Sequence, residues 1–197
     1  ELQTIGSNSF SYTSIESITI PPHVQTIEKY AFYNCKNLRT IIISKNSELQ
    51  SIACDAFNFC PIEIVKFSSD LSNIKILECF KQINKITSIT ILPHVQTIGD
   101  SAFSGCQNLR TIIFSESSEL QSIGSNSFSS TSIESITIPP HVKTIGEKAF
   151  YECQNLRTII FSEESELLSF GSCSFSSTSI ESITIPPHVQ TIEDKAF

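Results

Sequence analysis

The sequence lacks the features that mark several large classes of protein. It has no run of roughly 18 apolar residues, so no transmembrane helix is expected within these 197 residues. It has no cluster of basic residues and a formal net charge of −7, and phosphate binding needs a clustered positive face, so we expect no nucleic-acid partner. No signal-like segment opens the chain, and no Asn-x-Ser/Thr acceptor for glycosylation occurs.

Enzyme and metal motifs are missing as well. There is no G-x-S-x-G, no P-loop and no H-E-x-x-H, and side chains able to act as acids or bases recur in every other repeat instead of converging on one cleft. The four histidines fall at least two turns, or roughly 10 Å, apart, too far to share a zinc ion. They are His23, His94, His141 and His188. We therefore expect a non-enzymatic protein with no cofactor and no metal site.

What the sequence does contain is an internal repeat of 22 to 25 residues, shown most fully by Ser132–Leu167. Long units read V-x-T-I-x-x-x-A-F-x-x-C-x-N-L-R-T-I-I-F-S and end in an acidic loop, whereas short units read L-x-S-I-G-S-N-S-F-S-S-T-S-I-E-S-I-T-I-P-P-H. The units begin at Leu2, Val24, Leu49, Leu71, Val95, Leu120, Val142, Leu167 and Val189. This period predicts a single solenoid over residues 1–197 with about eight and a half turns. Neither end resembles a polar cap, so we expect an uncapped fragment of a longer protein.

Two sets of apolar residues predict the core. Spacings of three and two, as in Ile133, Ile136 and Ile138, are typical of a short strand entered from a bend, and they predict a parallel sheet with one strand per turn. The equivalent inward residues are Leu109, Ile112 and Phe114 in the unit before and Leu156, Ile159 and Phe161 in the unit after. A phenylalanine column is expected to fill the opposite side of the coil: Phe10, Phe32, Phe57, Phe103, Phe128, Phe150 and Phe175.

Four of the seven cysteines share one repeat position, three residues after a phenylalanine. They are Cys35, Cys60, Cys106 and Cys153, and the same position holds Thr13, Thr131 and Thr178 in other units. A position shared by Cys and Thr indicates a small buried site beside a turn, so we expect packed, free thiols. The pattern leaves the state of Cys54, Cys79 and Cys173 open.

The outward positions of the strands predict a binding face. One column reads Glu16, Arg39, Glu63, Thr87, Arg110, Glu134, Arg157 and Glu181. Its favoured interpretation is a ladder of ion pairs that fixes register between strands about 4.8 Å apart, and its alternative is a grip on an anionic ligand. The adjacent columns carry small hydroxyls and exposed isoleucines, which suit contact with a protein. The candidate face comprises Arg39, Thr40, Ile42, Arg110, Thr111, Ile113, Arg157, Thr158 and Ile160.

Two further segments are candidates for contact. Acidic loops gather on one rim and predict a site for a basic partner, a site that loosely holds calcium or, as favoured, a solvated edge that keeps the solenoid soluble. The rim residues are Glu116, Glu119, Glu163, Glu164 and Glu166. The unit Leu71–His94 lacks the A-F-x-x-C core and is the most basic segment, which indicates either drift or a specialised contact site.

The repeat resembles that of the BspA-like, Treponema-type leucine-rich repeat proteins over essentially the whole chain. The resemblance is carried by IPPHVQTIEKYAFYNCKNLRTI at Ile20–Ile41 and IGDSAFSGCQNLRTI at Ile98–Ile112, and it is weakest in the unit that begins at Leu71. It implies an α/β repeat fold: a right-handed solenoid with one short parallel strand per turn and loop or 3-10 segments on the convex side.

The same resemblance implies a function. Similar proteins occur in bacteria and in parasitic protists, and the alternation of long and short units is more like the protist members. The family implies non-catalytic protein binding in adhesion to host extracellular-matrix or cell-surface proteins, at the cell surface or secreted. The alternative is a cytoplasmic scaffold, which free thiols and missing glycosylation sites favour. Self-association through the uncapped ends is also expected.

Overall fold

The structure is a computed structural model that describes residues 1–53, 55–67, 86–93 and 95–197. These residues form parallel β-strands of two lengths joined by tight turns. The four-residue strands are β2 (Ser17–Ile20), β4 (Thr40–Ile43), β6 (Ile64–Phe67), β7 (Ser88–Ile91), β9 (Thr111–Phe114), β11 (Ser135–Ile138) and β13 (Thr158–Phe161). The two-residue strands are β1 (Thr4–Ile5), β3 (Thr26–Ile27), β5 (Ser51–Ile52), β8 (Thr97–Ile98), β10 (Ser122–Ile123), β12 (Thr144–Ile145), β14 (Ser169–Phe170) and β15 (Thr191–Ile192).

Successive turns stack in the register that the repeat predicts, which confirms the solenoid. Long strands pair with long strands, as Ile18 does with Ile41, and short strands pair with short strands, as Ile123 does with Ile145. The expectation of one strand per turn was wrong. The Thr-Ile or Ser-Ile pair near the start of each unit also pairs with its own copies, so a turn carries a long and a short strand on its two sides.

The expected α/β class and 3-10 segments are not found, because the described residues contain strands, turns and bends but no helix. The reason lies in the backbone of the segment around each phenylalanine. Residues with φ near +60° recur every four positions there, as at Asn8 and Tyr12 and at Asn126 and Ser130. A left-handed residue interrupts any continuing helix. The main chain of this segment forms hydrogen bonds to the next turn in place of those of a helix, as when Phe128 N–H donates to Ala149 O at 2.8 Å.

Among the described residues, the phenylalanine column forms two stacks in the core: Phe10, Phe32 and Phe57 in one, and Phe103, Phe128, Phe150 and Phe175 in the other. Neighbouring rings lie nearly parallel with centroids about 5 Å apart, for example 5.3 Å between Phe128 and Phe150 and 4.9 Å between Phe150 and Phe175. Phe197 continues the stack beyond Phe175 at 5.6 Å. Within the column, Phe10 on the first turn is the exposed member, because its ring has a neighbour on one side only.

The cysteine column is buried and free, as predicted, and the structure explains why threonine alternates with it. The thiols of Cys35, Cys60 and Cys153 each donate to the carbonyl of the phenylalanine one turn earlier, as Cys153 Sγ does to Phe128 O at 3.1 Å. A threonine hydroxyl donates to the phenylalanine carbonyl of its own turn, as Thr131 Oγ1 does to the same Phe128 O at 2.9 Å. Both side chains therefore satisfy one buried backbone acceptor.

The long-strand sheet is interrupted at two places where the short-strand sheet on the opposite side of the coil is continuous. Strands β2, β4, β6, β7 and β9 form one sheet, β11 and β13 form another, and no ladder joins β9 to β11. A second interruption follows β13, because residues 182–185 form no strand. On the other side of the coil, β8, β10, β12, β14 and β15 are continuous past both places. Phe114 and Phe161, predicted to be buried, are half-exposed because they lie at the two interruptions.

Candidate functional site

Each interruption opens a cleft on the outer face of the long strands. The first cleft has a volume of about 600 Å³ and lies between β9 and β11, and the second has about 560 Å³ and lies between β13 and residues 182–185. Equivalent residues 47 positions apart line both. The first is lined by Arg110, Thr111, Ile113, Phe114, Glu116, Ser135 and Pro139, and the second by Arg157, Thr158, Ile160, Phe161, Glu163, Ser182 and Pro186.

Main-chain hydrogen-bonding groups face the first cleft from both sides. Thr111 N–H donates to Thr87 O at 3.1 Å and Ser115 N–H to Ile91 O at 3.2 Å, so the alternate residues of β9 direct their N–H and C=O away from β7. Among the described residues, no main-chain hydrogen bond joins β9 to β11. The facing edges of these strands are thus unpaired, although Cα atoms of the two strands still lie within 8 Å of each other.

The arginine column behaves differently in the continuous and the interrupted parts of the sheet. Arg39 Nη1 lies 2.5 Å from Glu63 Oε1 across the paired strands β4 and β6, as the ion-pair ladder predicts. In the described part of the chain, Arg110 and Arg157 have no carboxylate partner, because the ladder is broken on the side where Glu134 and Glu181 follow. Each cleft therefore presents an exposed guanidinium group that forms no ion pair in the described part of the chain, although Glu116 and Glu134 line the first cleft and Glu163 lines the second.

Apolar groups lie beside these arginines. Ile113 is 48% exposed and Ile160 is 50% exposed, and the half-exposed rings of Phe114 and Phe161 lie one residue further along. Among the predicted face residues, Arg110, Thr111 and Ile113 come together in the first cleft and Arg157, Thr158 and Ile160 in the second. Arg39, Thr40 and Ile42 lie instead on the continuous part of the sheet. Their role in binding remains a prediction.

The predicted acidic rim divides into three environments. Glu116 and Glu163 line the clefts, and Glu164 is exposed. Glu119 and Glu166 line a separate pocket of about 280 Å³ together with His141 and Lys143. There Glu166 Oε1 lies 2.9 Å from His141 Nδ1, and this hydrogen bond lowers the pKa of the Glu166 carboxyl. His23 and Glu48 form an equivalent contact of 3.1 Å on an earlier turn.

An exposed aromatic cluster was missed by the sequence interpretation. The ring of Tyr33 lies 5.6 Å from Tyr12, 5.5 Å from Tyr30 and 5.3 Å from Phe59, all edge to face. Tyr12 is 69% and Phe59 72% exposed, on the turn side of the first three units. Exposed tyrosine and phenylalanine are enriched in protein interfaces. The available signal was an aromatic residue one or two positions after the column phenylalanine, at Tyr12, Tyr33 and Phe59, and two positions before it at Tyr30.

Some of the residues named in the sequence predictions lie outside the part of the chain that the structure describes. Cys54, Cys79, His94 and residues 71–85 of the irregular unit lie outside the described residues. Where the structure describes the chain, no three His, Cys, Asp or Glu side chains are grouped so that they could hold a metal ion. The same part of the chain contains no helix of the length and apolarity needed to span a membrane.

Comparisons with known proteins agree on the fold. The family model described as the BspA type leucine rich repeat region matches residues 3–77 and 77–197, with six copies. A leucine-rich repeat protein from Bacteroides ovatus is similar in structure at 24% identity, with a TM-score of 0.61, over 96% of this chain and 48% of that one. The leucine-rich repeat protein of T. pallidum is 21% identical, with a TM-score of 0.52, over 82% of this chain and 76% of that one. A leucine-rich repeat protein from Eubacterium ventriosum is 20% identical, with a TM-score of 0.51, over 95% of this chain and 49% of that one. The chain therefore spans about half the length of the Bacteroides ovatus and Eubacterium ventriosum proteins. No curated protein matched the sequence.

Proposed function

The chain belongs to the BspA-type leucine-rich repeat family, and from that premise we propose that it is a non-catalytic domain that binds a protein ligand in adhesion. Leucine-rich repeats are in general protein-interaction domains, and solenoids bind through extended surfaces built from successive turns. The ligand proposed is a host extracellular-matrix or cell-surface protein, and the proposed location is the cell surface or outside the cell. Right-handed winding and self-association through the end strands are part of the same proposal.

The observation that carries the proposal is the outer face of the long strands. It exposes threonine hydroxyls, isoleucine side chains and two unpaired arginines around two open clefts. Such a mixture of apolar anchors and a charged rim is what protein interfaces use. The family motif brings no catalytic residue with it, and both clefts carry the same side chains, which suits repeated contacts better than a singular active site.

The second candidate function is an internal scaffold built on the same surface. It is favoured by the buried free thiols of Cys35, Cys60, Cys106 and Cys153, because oxidising compartments favour disulfides.

The decisive experiment is protease shaving of intact cells that carry the full-length protein, with a cytosolic protein as the control for leakage. We expect the protein to be shaved while the control is protected. Full protection of both would reject adhesion in favour of the scaffold. If the protein is shaved, the next experiment is a pull-down with immobilised fibronectin, fibrinogen and collagen, in which the Arg110→Glu/Arg157→Glu variant should no longer be captured. Variants of Glu116 and Glu163 test the contribution of the acidic residues in the clefts.

A further inference from the structure

The two clefts indicate the form in which a protein ligand binds. Open strand edges are templates for pairing with another chain, and an extended peptide that adds to a sheet obtains affinity from main-chain hydrogen bonds. We propose that each cleft binds an extended peptide segment as an added parallel strand, on the unpaired edge of β9 in the first cleft and of β13 in the second. Cα atoms of β9 and β11 lie within 8 Å of each other, and an inserted strand needs about 9.6 Å between its two neighbours, so these strands must move apart when the peptide binds. The inference rests on the proposed function in one respect, that the ligand is a protein.

The continuous part of the sheet shows what such a strand looks like. Residues Arg39–Ile42 and Arg110–Ile113 both read R-T-I-I. At the first of them, the edge equivalent to the open edge of β9 is occupied by β6, which pairs in parallel with β4 from Ile64 to Phe67. The occupant of that edge is therefore the sequence Glu-Ile-Val-Lys-Phe, Glu63–Phe67.

Charge sets the orientation and the first residue of the ligand. Glu63 pairs with Arg39 and donates its N–H to Arg39 O at 3.0 Å, and Ile64 N–H donates to the same carbonyl at 3.1 Å. Arg110 and Arg157 stand at the equivalent positions, and neither forms an ion pair with a described carboxylate, although Glu116 and Glu134 line the first cleft and Glu163 lines the second. An acidic residue at the amino-terminal end of the peptide would complete the missing pair.

Side chains of the ligand would alternate between the two sides of the added strand. Residues of one parity point towards the core, where Phe114 and Phe161 are half-exposed, and residues of the other point outward beside Ile113 and Ile160. The ligand is therefore a segment with an acidic residue followed by β-branched or aromatic residues at alternate positions. The two clefts take two such segments per chain.

The test uses the intact 197-residue chain and a fluorescein-labelled, acetylated peptide containing Glu-Ile-Val-Lys-Phe. Fluorescence polarisation should show saturable binding of two peptides per chain. Hydrogen exchange should show new protection in residues 110–116 and 157–163. Absence of saturable binding would overturn the inference, and so would protection confined to the end strands near residues 4–5 and 191–192.

Matched changes in the peptide separate strand addition from general adhesion of an apolar peptide. In β6, Ile64 N–H donates to β4, and by alternation Lys66 N–H points the same way whereas Val65 N–H points away. N-methylation at the Ile or Lys position of the peptide should abolish binding, whereas N-methylation at the Val position should leave it. Equal effects at both parities would contradict an added strand on this edge.

Charge reversal supplies the second pair of tests. Arg110→Glu/Arg157→Glu should weaken binding about fivefold or more, and a peptide beginning with Lys should restore it on that variant. Lys29→Glu/Lys36→Glu changes the net charge equally at exposed sites away from the clefts and should have no effect. If the peptide does not bind but the domain still captures a matrix protein, this inference alone fails. If the peptide binds and the protein lies inside the cell, adhesion alone fails.

Discussion

The buried thiols of the cysteine column should resist alkylation in the folded protein. Burial raises the pKa of Cys60 to about 12 and also raises the pKa of Cys153, and the thiolate is the reactive form. We expect iodoacetamide at pH 8 to modify these two cysteines only after denaturation, whereas the partly exposed, free Cys173 reacts in the native state. Mass mapping of the alkylated peptides measures each site separately. Native-state modification of Cys60 as fast as that of Cys173 would contradict the expected burial.

The carboxyl of Glu166 should report the rim contact through its titration. Its hydrogen bond from His141 lowers the pKa in the folded state, so the contact stabilises the fold above the carboxyl's unfolded pKa. That stabilisation is lost as pH falls through the folded pKa. His141→Ala should raise the pKa of Glu166 towards its ordinary value, as followed by NMR of the side-chain carboxyl carbon. His23→Ala is the control, because it should shift the pKa of Glu48 and leave that of Glu166 unchanged.

The phenylalanine stack is the element on which stability should depend most. Phe128 is fully buried between Phe103 and Phe150, so Phe128→Ala removes ring contacts on both sides. We expect it to lower the free energy of unfolding by about 3–5 kcal/mol. Phe10 is 36% exposed and has a ring on one side, so Phe10→Ala should cost clearly less. Urea denaturation of the two variants makes the comparison, and equal losses would show that the stack is not the main support.

The turns after the short strands of the later units are packed too closely for a side chain. A Cβ added at Gly146 would lie 2.7 Å from Ser125 N and 2.8 Å from Gly124 C, both of them main-chain atoms. Gly146→Ala should therefore lower the free energy of unfolding by roughly 1–3 kcal/mol. At Gly6 the nearest atom would be the flexible Glu28 Oε2 at 3.9 Å, so Gly6→Ala should be close to neutral. Thermal unfolding that ranks the two in the opposite order would contradict this packing.

Elements of this fold differ in how far sequence predicts them. The columns were predictable because each position recurs in every turn, so the inward isoleucines, the phenylalanines and the Cys/Thr site each show one environment several times. The interruption after β9 was not predictable from the sequence. The same sequence, R-T-I-I, occurs at Arg39–Ile42 in the continuous sheet and at Arg110–Ile113 beside the interruption. Pairing depends on the next turn, which the strand itself does not encode. The exposed aromatic cluster was missed because its aromatic residues occur in three turns only, at positions where most other repeats carry no aromatic residue.

At the scale of the whole molecule, stability should follow the number of stacked turns. Deleting residues 120–166 removes a short and a long unit and brings β14 into the register of β8, since both pair with successive copies of the same Thr-Ile or Ser-Phe site. We expect a folded protein with an unchanged β-sheet circular dichroism spectrum and a free energy of unfolding lower by about a quarter. Deleting residues 120–155 removes one and a half turns and should prevent cooperative folding. Similar unfolding transitions for the two deletions would refute the register argument.

The 47-residue spacing of the clefts has a consequence for inheritance. Two coding segments that encode such similar repeats are substrates for unequal recombination. An exchange between them adds or removes 141 nucleotides, which does not shift the reading frame. Each product of such an exchange keeps the parallel register and gains or loses one whole cleft. Alleles would then differ in integer steps of valency, and selection could tune avidity by length before any single contact changed.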